Sequence, residues 1–315
     1  MASKYSVAKK FIAVAVFLLS MLISPFYTGG DQEWYIKTYD DMAGLGLVDA
    51  FVLYKGYLGT AEFVHFFFIW LGSSLHIEKD LLMAIFNAIF AYLSMSFFET
   101  RKASVIVAML IVLTNLYFMV LYFAAERLKF AFIFLAAALL FIDRPKRFYV
   151  TAILSVLAHI EAIVVFGSMF FVKISKRFLA GKIPKSTLTI IAISLIPLSL
   201  LASQIYTKFS IHSQHESRTV LDFARIFLFL ALALLYSKDK RETLLLFIPL
   251  VVAIFLLDPN RLNMLGYFAF LYYALHYRGG WNAGVLLTSV YFVFATFKFV
   301  TNIFFFGNGF GDYLP

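Results

Sequence analysis

Long apolar runs separated by short polar stretches make up most of the 315-residue chain. A helix needs about 20 mostly apolar residues to cross a hydrocarbon core of about 30 Å. By this criterion we expect about eleven transmembrane helices, in the runs 11–27, 61–75, 81–98, 105–124, 130–142, 148–172, 188–202, 221–236, 244–257, 262–276 and 285–302. The pattern therefore predicts an all-α polytopic membrane protein, with residues 1–315 forming a single transmembrane domain.

Two polar stretches are predicted as external loops, an acidic first loop over 29–57 and a second loop over 203–220. Lysines before the first run place the amino terminus inside, and that run has the character of an uncleaved anchor. Alternate counting then puts Arg101 and Arg144 outside and Arg127 inside. The section from Arg101 to Arg147 would have the opposite orientation if one apolar run on each side of it did not cross the membrane. Both topologies stay open.

Composition narrows the protein class further. Residues are 62% hydrophobic and 14% charged, whereas soluble domains carry about 25% charged residues. The absence of cysteine excludes thiolate catalysis and disulfides. The net charge of +9 is explained by basic cytoplasmic loops rather than by nucleic-acid binding. With no cysteine and no histidine–carboxylate cluster at ligand spacing, we expect no metal, although the acidic first loop leaves a divalent ion as the alternative. We also expect no cofactor.

Ionisable residues inside apolar runs need a partner or a function, because each costs about 2.5 to 3.5 kcal/mol at mid-span. Arg127 joins two runs in LYFAAERLKFAF and is either an interfacial turn residue or a cation at a helix start, suited to phosphate oxygens. His159 and Glu161 lie within the run 148–172, and two residues along a helix place them on different faces. His159 either bonds to a neighbouring helix or lines a cavity as a proton donor or acceptor.

Other polar groups stand at the ends of runs. Glu62 and His65 share one helix face and either pair with each other or serve a site. Arg218, Asp222 and Arg225 form one stripe, which is either a salt-bridge group or a fork for a pyrophosphate. Arg261 follows a proline and is either an interfacial residue or a further cation of a site.

The order of several segments resembles the EpsG/Wzy-type family of bacterial polysaccharide polymerases. These segments are the acidic loop with Asp31 and Tyr35, GTAEFVHFFFIWLGSS (59–74), LYFAAERLKFAFIFLAAALLF (121–141), LSVLAHIEAIVVFGSMFF (154–171) and NRLNMLGYFAF (260–270). Arg127 and His159 match the arginine and histidine of the family pattern, although Leu128 and Ile160 follow them in place of glutamine and a small residue.

The resemblance implies a glycosyltransferase with a GT-C-like architecture in the bacterial inner membrane. It would join oligosaccharide repeat units carried on undecaprenyl pyrophosphate, with its active site toward the periplasm. A flippase and a chain-length regulator of the same pathway would be its protein partners. An O-antigen ligase and a lipid or oligosaccharide transporter remain the alternative functions.

Residue chemistry suits such a reaction because a lipid pyrophosphate leaves with negative charge. The expected roles are pyrophosphate binding by Arg127, Arg218, Arg225 and Arg261, proton transfer by His159, Asp31 or Glu62, and sugar stacking by Trp34, Tyr35 and Tyr39.

Overall fold

The computed structural model describes residues 2–181 and 220–311, and every regular element in these ranges is helical. Arg218, the run 188–202 and nearly all of the predicted loop 203–220 lie outside the described residues. The helices are α1 (Ala2–Ile23), α2 (Asp31–Asp41), α3 (Leu47–Leu58), α4 (Phe63–Ser74), α5 (Lys79–Thr100), α6 (Val105–Thr114), α7 (Leu116–Phe123), α8 (Glu126–Leu140), α9 (Pro145–Ala158), α10 (Ala162–Leu179), α11 (Val220–Tyr236), α12 (Lys240–Ala253), α13 (Pro259–Ala274) and α14 (Ala283–Phe306).

The chain divides into two compact units. The first unit contains the described residues up to 162 and from 278 onward, and the second contains those between 163 and 277. Each unit has its own helix packing.

Three helical stretches of the described chain are long and apolar enough to cross a membrane: Tyr5–Phe26, Lys79–Thr100 and Tyr277–Phe306. Helices α6 and α7 count as a fourth span if the pair, bent by 51° at Asn115, is taken as one. By length and composition the protein is therefore a helical membrane protein with three or four candidate spans in its described residues.

Helices α1 and α5 run antiparallel in the first unit. The Lys9 ammonium lies 2.8 Å from a carboxylate oxygen of Glu99, and the Tyr5 hydroxyl donates to the Ala103 carbonyl at 2.8 Å. At the opposite end, the Gly29 amide donates to the Gly307 carbonyl after α14 at 2.8 Å. The first unit therefore has one end that contains Lys9 and Glu99, the basic end, and another that contains Gly29 and Gly307, the acidic end.

Helix α8 runs parallel to α5, and α9 returns antiparallel to α8. The rings of Phe86 and Phe130 lie 4.5 Å apart, and the Ser155 hydroxyl donates to the Ala131 carbonyl at 2.8 Å. Consequently α8 starts at the acidic end, the turn containing Arg144 lies at the basic end, and α9 finishes at the acidic end. The prediction from alternate counting, which separated Arg144 from the amino-terminal lysines, is wrong.

Helix α4 explains this error. Helix α1 ends at the acidic end, and α5 begins there at Lys79, so α2, α3 and α4 lie between two helix ends on the same side. With 12 residues, α4 is about 18 Å long, too short to cross a bilayer core. The apolar run 61–75 therefore does not cross, and the predicted first loop, 29–57, contains the two helices α2 and α3.

In the second unit, α11 packs closely against α13. A Cβ at Gly266 would lie 2.3 Å from Cδ1 of Ile226, so a larger residue at this position would require that side chain to move. The Phe229 ring meets the Tyr267 ring edge-on at 5.5 Å. The small residue and the aromatic pair thus fix how these two helices cross.

Candidate functional site

A row of ionisable side chains crosses the acidic end of the first unit. A carboxylate oxygen of Glu62 bonds to Nδ1 of His159, and the other oxygen lies 3.2 Å from Nη1 of Arg127. Nε2 of His159 faces a Glu161 oxygen at 3.4 Å. The side chains of Glu62, His159 and Glu161 are buried, and that of Arg127 is 17% exposed. We call these four residues the arginine–histidine row.

Helix ends position each member of this row. Glu62 directly precedes α4, and Arg127 is the second residue of α8. His159 follows α9 in an extended conformation, with φ −158° and ψ 123°. The structure therefore confirms the prediction that Arg127 lies at a helix start.

The prediction of one continuous helix over 148–172 is wrong. Helix α9 ends at Ala158 and α10 starts at Ala162, and His159 between them has an extended backbone conformation. His159 and Glu161 consequently face each other rather than opposite sides of a helix. No proline or glycine marks this break, so the sequence carried no sign of it.

Tyr35 lies beside Arg127. Nε of Arg127 donates to the Tyr35 hydroxyl at 2.9 Å. Burial raises the pKa of Tyr35 to about 12, although the neighbouring guanidinium opposes this rise. The hydroxyl therefore stays protonated, accepts from Arg127 and keeps its own hydrogen to donate.

A second row of ionisable side chains also lies close to Tyr35, and of its members the sequence had singled out only His65. The Lys79 ammonium contacts a Glu126 oxygen at 2.5 Å and the Gln32 amide oxygen at 2.9 Å. The other Glu126 oxygen lies 3.7 Å from Nε2 of His65, and Nδ1 of His65 lies 3.0 Å from the Tyr54 hydroxyl. We call Lys79, Glu126, His65 and Tyr54 the lysine–glutamate row. The suggested pairing of His65 with Glu62 is replaced by this arrangement.

The Tyr35 ring lies close to members of both rows. Its ring centroid lies 5.9 Å from the Arg127 guanidinium carbon and 6.0 Å from the Lys79 ammonium. The His65 ring meets it edge-on at 5.8 Å. Two cations, each with a carboxylate partner, thus lie close to one aromatic ring. The sequence signal for the second row was weak, since Lys79 and Glu126 border apolar runs where solvated residues are common.

Arg127 has donors to spare. A guanidinium carries five N–H groups, and the contacts with Tyr35 and Glu62 engage two of its nitrogens, Nε and Nη1. Nη2 remains available for an anion, while Glu62 holds the group in place. The arrangement suits a partly exposed arginine that binds phosphate oxygens without giving up its carboxylate partner.

A cavity of about 490 Å³ adjoins the lysine–glutamate row. It lies between α2 and the turn that joins α4 to α5. Its wall includes Tyr39, Asp40, Ser73, Glu78, Lys79 and Asp80. The Tyr39 hydroxyl donates to the Ile77 carbonyl at 2.7 Å, which fixes the ring in that wall. Lys79 belongs to both the cavity and the row.

The remaining predicted residues of the first unit lie apart from the two rows. Asp31 is the first residue of α2 and is exposed. Trp34 is 49% exposed, with its ring 6.3 Å from that of Tyr57. Tyr35 is buried between the rows, so of the three predicted sugar-stacking residues only Tyr39 lines the cavity.

Two predicted cations belong to the second unit. Arg225 lies 3.5 Å from Asp222, which confirms the salt bridge proposed for that stripe, and Arg261 lies 3.1 Å from Asp258. Both pairs are formed within a single helix turn. Of the two salt bridges expected for Asp222, to Arg218 and to Arg225, only the one to Arg225 lies within the described residues. Arg218 lies outside the described residues. The two rows of the first unit are therefore assembled from first-unit residues alone.

In the described parts of the chain, no three histidine or acidic side chains are grouped so that they could hold a metal ion. Comparisons of the chain with protein-family models, with curated proteins and with solved structures found no match.

Proposed function

We propose that this protein is a polysaccharide polymerase that joins lipid-pyrophosphate-linked oligosaccharide units. One observation carries the proposal. Glu62, Arg127 and His159, each singled out in the sequence as an ionisable group in apolar surroundings, come from three separate helix ends and meet in the arginine–histidine row. Buried ionisable groups in a membrane protein mark functional sites by default.

The reaction fits the chemistry of this row. A sugar hydroxyl of the acceptor attacks the anomeric carbon of the donor, the bond from that carbon to the pyrophosphate oxygen breaks, and the hydroxyl proton passes to a base. Arg127 would stabilise the negative charge on the leaving pyrophosphate, and such a donor contributes about 3 to 4 kcal/mol. Glu62 or His159 would accept the proton. Asp31, which is exposed on α2, is a less suitable base.

Charge asymmetry supports an external site. Cations dominate the basic end, with Lys9, Lys10, Arg101, Lys102, Arg144, Lys146, Arg147 and Arg278 against the acids Glu99 and Asp143. Acids dominate the other end, with Asp31, Glu33, Asp40, Asp41, Asp49, Glu78 and Asp80 against Lys37, Lys55, Lys79 and Arg127. Cytoplasmic segments of membrane proteins are rich in lysine and arginine. The basic end would then be cytoplasmic, and Arg127 would face the periplasm.

The larger architecture is part of the same proposal. We infer a GT-C-like arrangement in the bacterial inner membrane. The non-crossing helix α4 reduces the expected number of spans below eleven. The substrates would be oligosaccharides on undecaprenyl pyrophosphate.

A transporter is the second candidate, and a specific observation favours it. The helices α9 and α10 are interrupted at His159, and α6 and α7 bend by 51° at Asn115. Discontinuous helices beside polar side chains are typical of transporter substrate sites. An O-antigen ligase would use the same donor chemistry with a different acceptor.

Chain growth by the purified protein tests the proposal. The protein in detergent micelles is given lipid-linked oligosaccharide alone, with no membrane gradient. A ladder of longer glycans on the lipid carrier is expected. Complete absence of new glycosidic bonds, together with uptake of the same lipid by protein-containing vesicles, would identify a transporter. Transfer only to an added lipid A acceptor would identify a ligase.

A further inference from the structure

The cavity next to the lysine–glutamate row has the size of a small-molecule site. Its volume of about 490 Å³ lies within the range of about 300 to 1,000 Å³ that is typical of ligand pockets. It belongs entirely to the first unit and lies at the acidic end, where the arginine–histidine row also lies. The proposed reaction assigns no role to this cavity.

Its wall combines an aromatic ring with hydroxyl groups and carboxylates. Tyr39 supplies the ring, and Ser24, Thr28 and Ser73 supply hydroxyls. Ser73 donates its hydrogen to the Tyr39 carbonyl at 2.7 Å, so its oxygen remains an acceptor. Several hydrogen-bond acceptors around one cavity suit a ligand that has many hydroxyl donors.

The charges of the wall restrict the ligand further. Asp40, Glu78 and Asp80 make no ion pair with any residue that the structure describes. Lys79 is the only lysine or arginine among the described wall residues, and its charge is already opposed by Glu126 at 2.5 Å. A phosphate or a uronic acid would meet three carboxylates and one lysine that already has a carboxylate partner, and would be repelled, whereas a neutral or amino sugar would not be.

We propose that this cavity binds a neutral or amino sugar of the acceptor glycan and disfavours acidic sugars. The inference rests on the proposed function where it identifies the sugar as part of the acceptor glycan, but sugar binding itself is independent of polymerisation. Lys79 connects the bound sugar to Glu126, and thereby to the neighbourhood of Tyr35 and Arg127. The sugar would thus bind in the cavity, and the pyrophosphate would bind at the adjacent arginine–histidine row.

Ligand binding to the full-length protein in detergent tests this directly. Saturation-transfer NMR is recorded with methyl glycosides of glucose, glucosamine and glucuronic acid as probes. Ala43 lines the cavity from an exposed position, so Ala43→Trp fills the space without disturbing the core. Val48→Trp, at a residue that is 74% exposed and outside the cavity wall, is the matched control.

We expect Ala43→Trp to reduce the signals of glucose and glucosamine by about tenfold, whereas Val48→Trp leaves them unchanged. Glucuronide should bind about tenfold more weakly than glucoside, and the double variant Asp40→Asn/Asp80→Asn should narrow that difference. Equal signals for wild type and Ala43→Trp, or equal binding of glucuronide and glucoside, would overturn the inference. If Ala43→Trp fails to fold, the charge preference and its loss in the double variant decide the question alone. Sugar binding without chain growth would count against the polymerase and not against the cavity.

Discussion

The Glu62 carboxylate bonds to Nδ1 of His159, although 97 residues separate the two in the chain, and its second oxygen contacts Arg127. Glu62 is therefore the residue that holds a cation and an imidazole together. Removing one partner of a buried ion pair usually costs about 3 to 5 kcal/mol, because the remaining charge stays buried without its counter-ion. Glu62→Gln should lower the free energy of unfolding accordingly.

Unfolding in mixed micelles by a denaturing detergent, followed by circular dichroism, measures this change. Glu33→Gln is the control, because Glu33 is an exposed acid on α2 and should change the free energy by less than about 0.5 kcal/mol. Equal midpoints for the wild type and Glu62→Gln would show that Glu62 does not hold the row together.

Arg127→Lys tests whether the planar guanidinium is needed. Arginine presents nitrogens to Tyr35 and Glu62 at the same time, and the single ammonium of lysine cannot reproduce that geometry. We expect polymer ladders to collapse to single repeat units in a polymerase-deleted host that carries this variant. Arg144→Lys, an exposed change at the basic end, should leave the ladders normal. Long chains from Arg127→Lys would remove Arg127 from the pyrophosphate site.

In the proposed reaction Glu161 would position His159, since it faces Nε2 of His159 while Glu62 bonds to the other nitrogen. Glu161→Ala should lower kcat of the purified protein by about tenfold, about 1.4 kcal/mol in barrier height, with KM for the donor unchanged. Glu161→Gln, which keeps an acceptor oxygen, should recover part of the loss. An increased KM at constant kcat would instead assign Glu161 to substrate binding.

The sequence was sufficient to single out the members of the arginine–histidine row, because arginine, histidine and glutamate are conspicuous within or beside apolar runs. It could not show that His159 faces Glu161. That contact depends on a helix break with no glycine or proline, and only the packing of α9 on α8 reveals it. Span prediction failed at α4 for a related reason, since an apolar run of this length can either cross or lie between two helix ends. Hydropathy alone does not distinguish these two placements.

Lys79 shows a second limit of prediction from sequence, at a residue that the sequence did not single out. It begins an apolar run, where a lysine is usually solvated, yet its ammonium is bound to Glu126 and Gln32. These partners lie 47 residues away on either side of it in the sequence. Long-range pairing of this kind leaves no local pattern, so only the fold can identify it.

Tyr35 gives a prediction about pH. Its pKa is raised to about 12 by burial, from about 10 in an unfolded chain. Above pH 10 the unfolded state loses the proton while the folded state keeps it, so the contribution of Tyr35 to stability is complete below pH 10 and declines as pH rises toward 12. Tyr35→Phe removes this dependence. The unfolding free energy of the wild type should therefore fall more steeply between pH 9 and 11 than that of the variant. Chemical denaturation at pH 9 and at pH 11 measures both changes. Parallel declines would mean that Tyr35 is not buried.

The side of the membrane that Arg127 faces can be established by cysteine labelling, since the native chain contains no cysteine. Asp49 lies on α3 near the acidic end, and Arg147 lies in α9 near the basic end; both are exposed. In intact spheroplasts, a membrane-impermeant maleimide should modify Asp49→Cys at once and Arg147→Cys only after permeabilisation. The physical reason is the charge asymmetry, because lysine and arginine are retained on the cytoplasmic side. The reverse labelling pattern would place the acidic end, and Arg127 with it, in the cytoplasm, and a periplasmic pyrophosphate site at Arg127 would then be impossible.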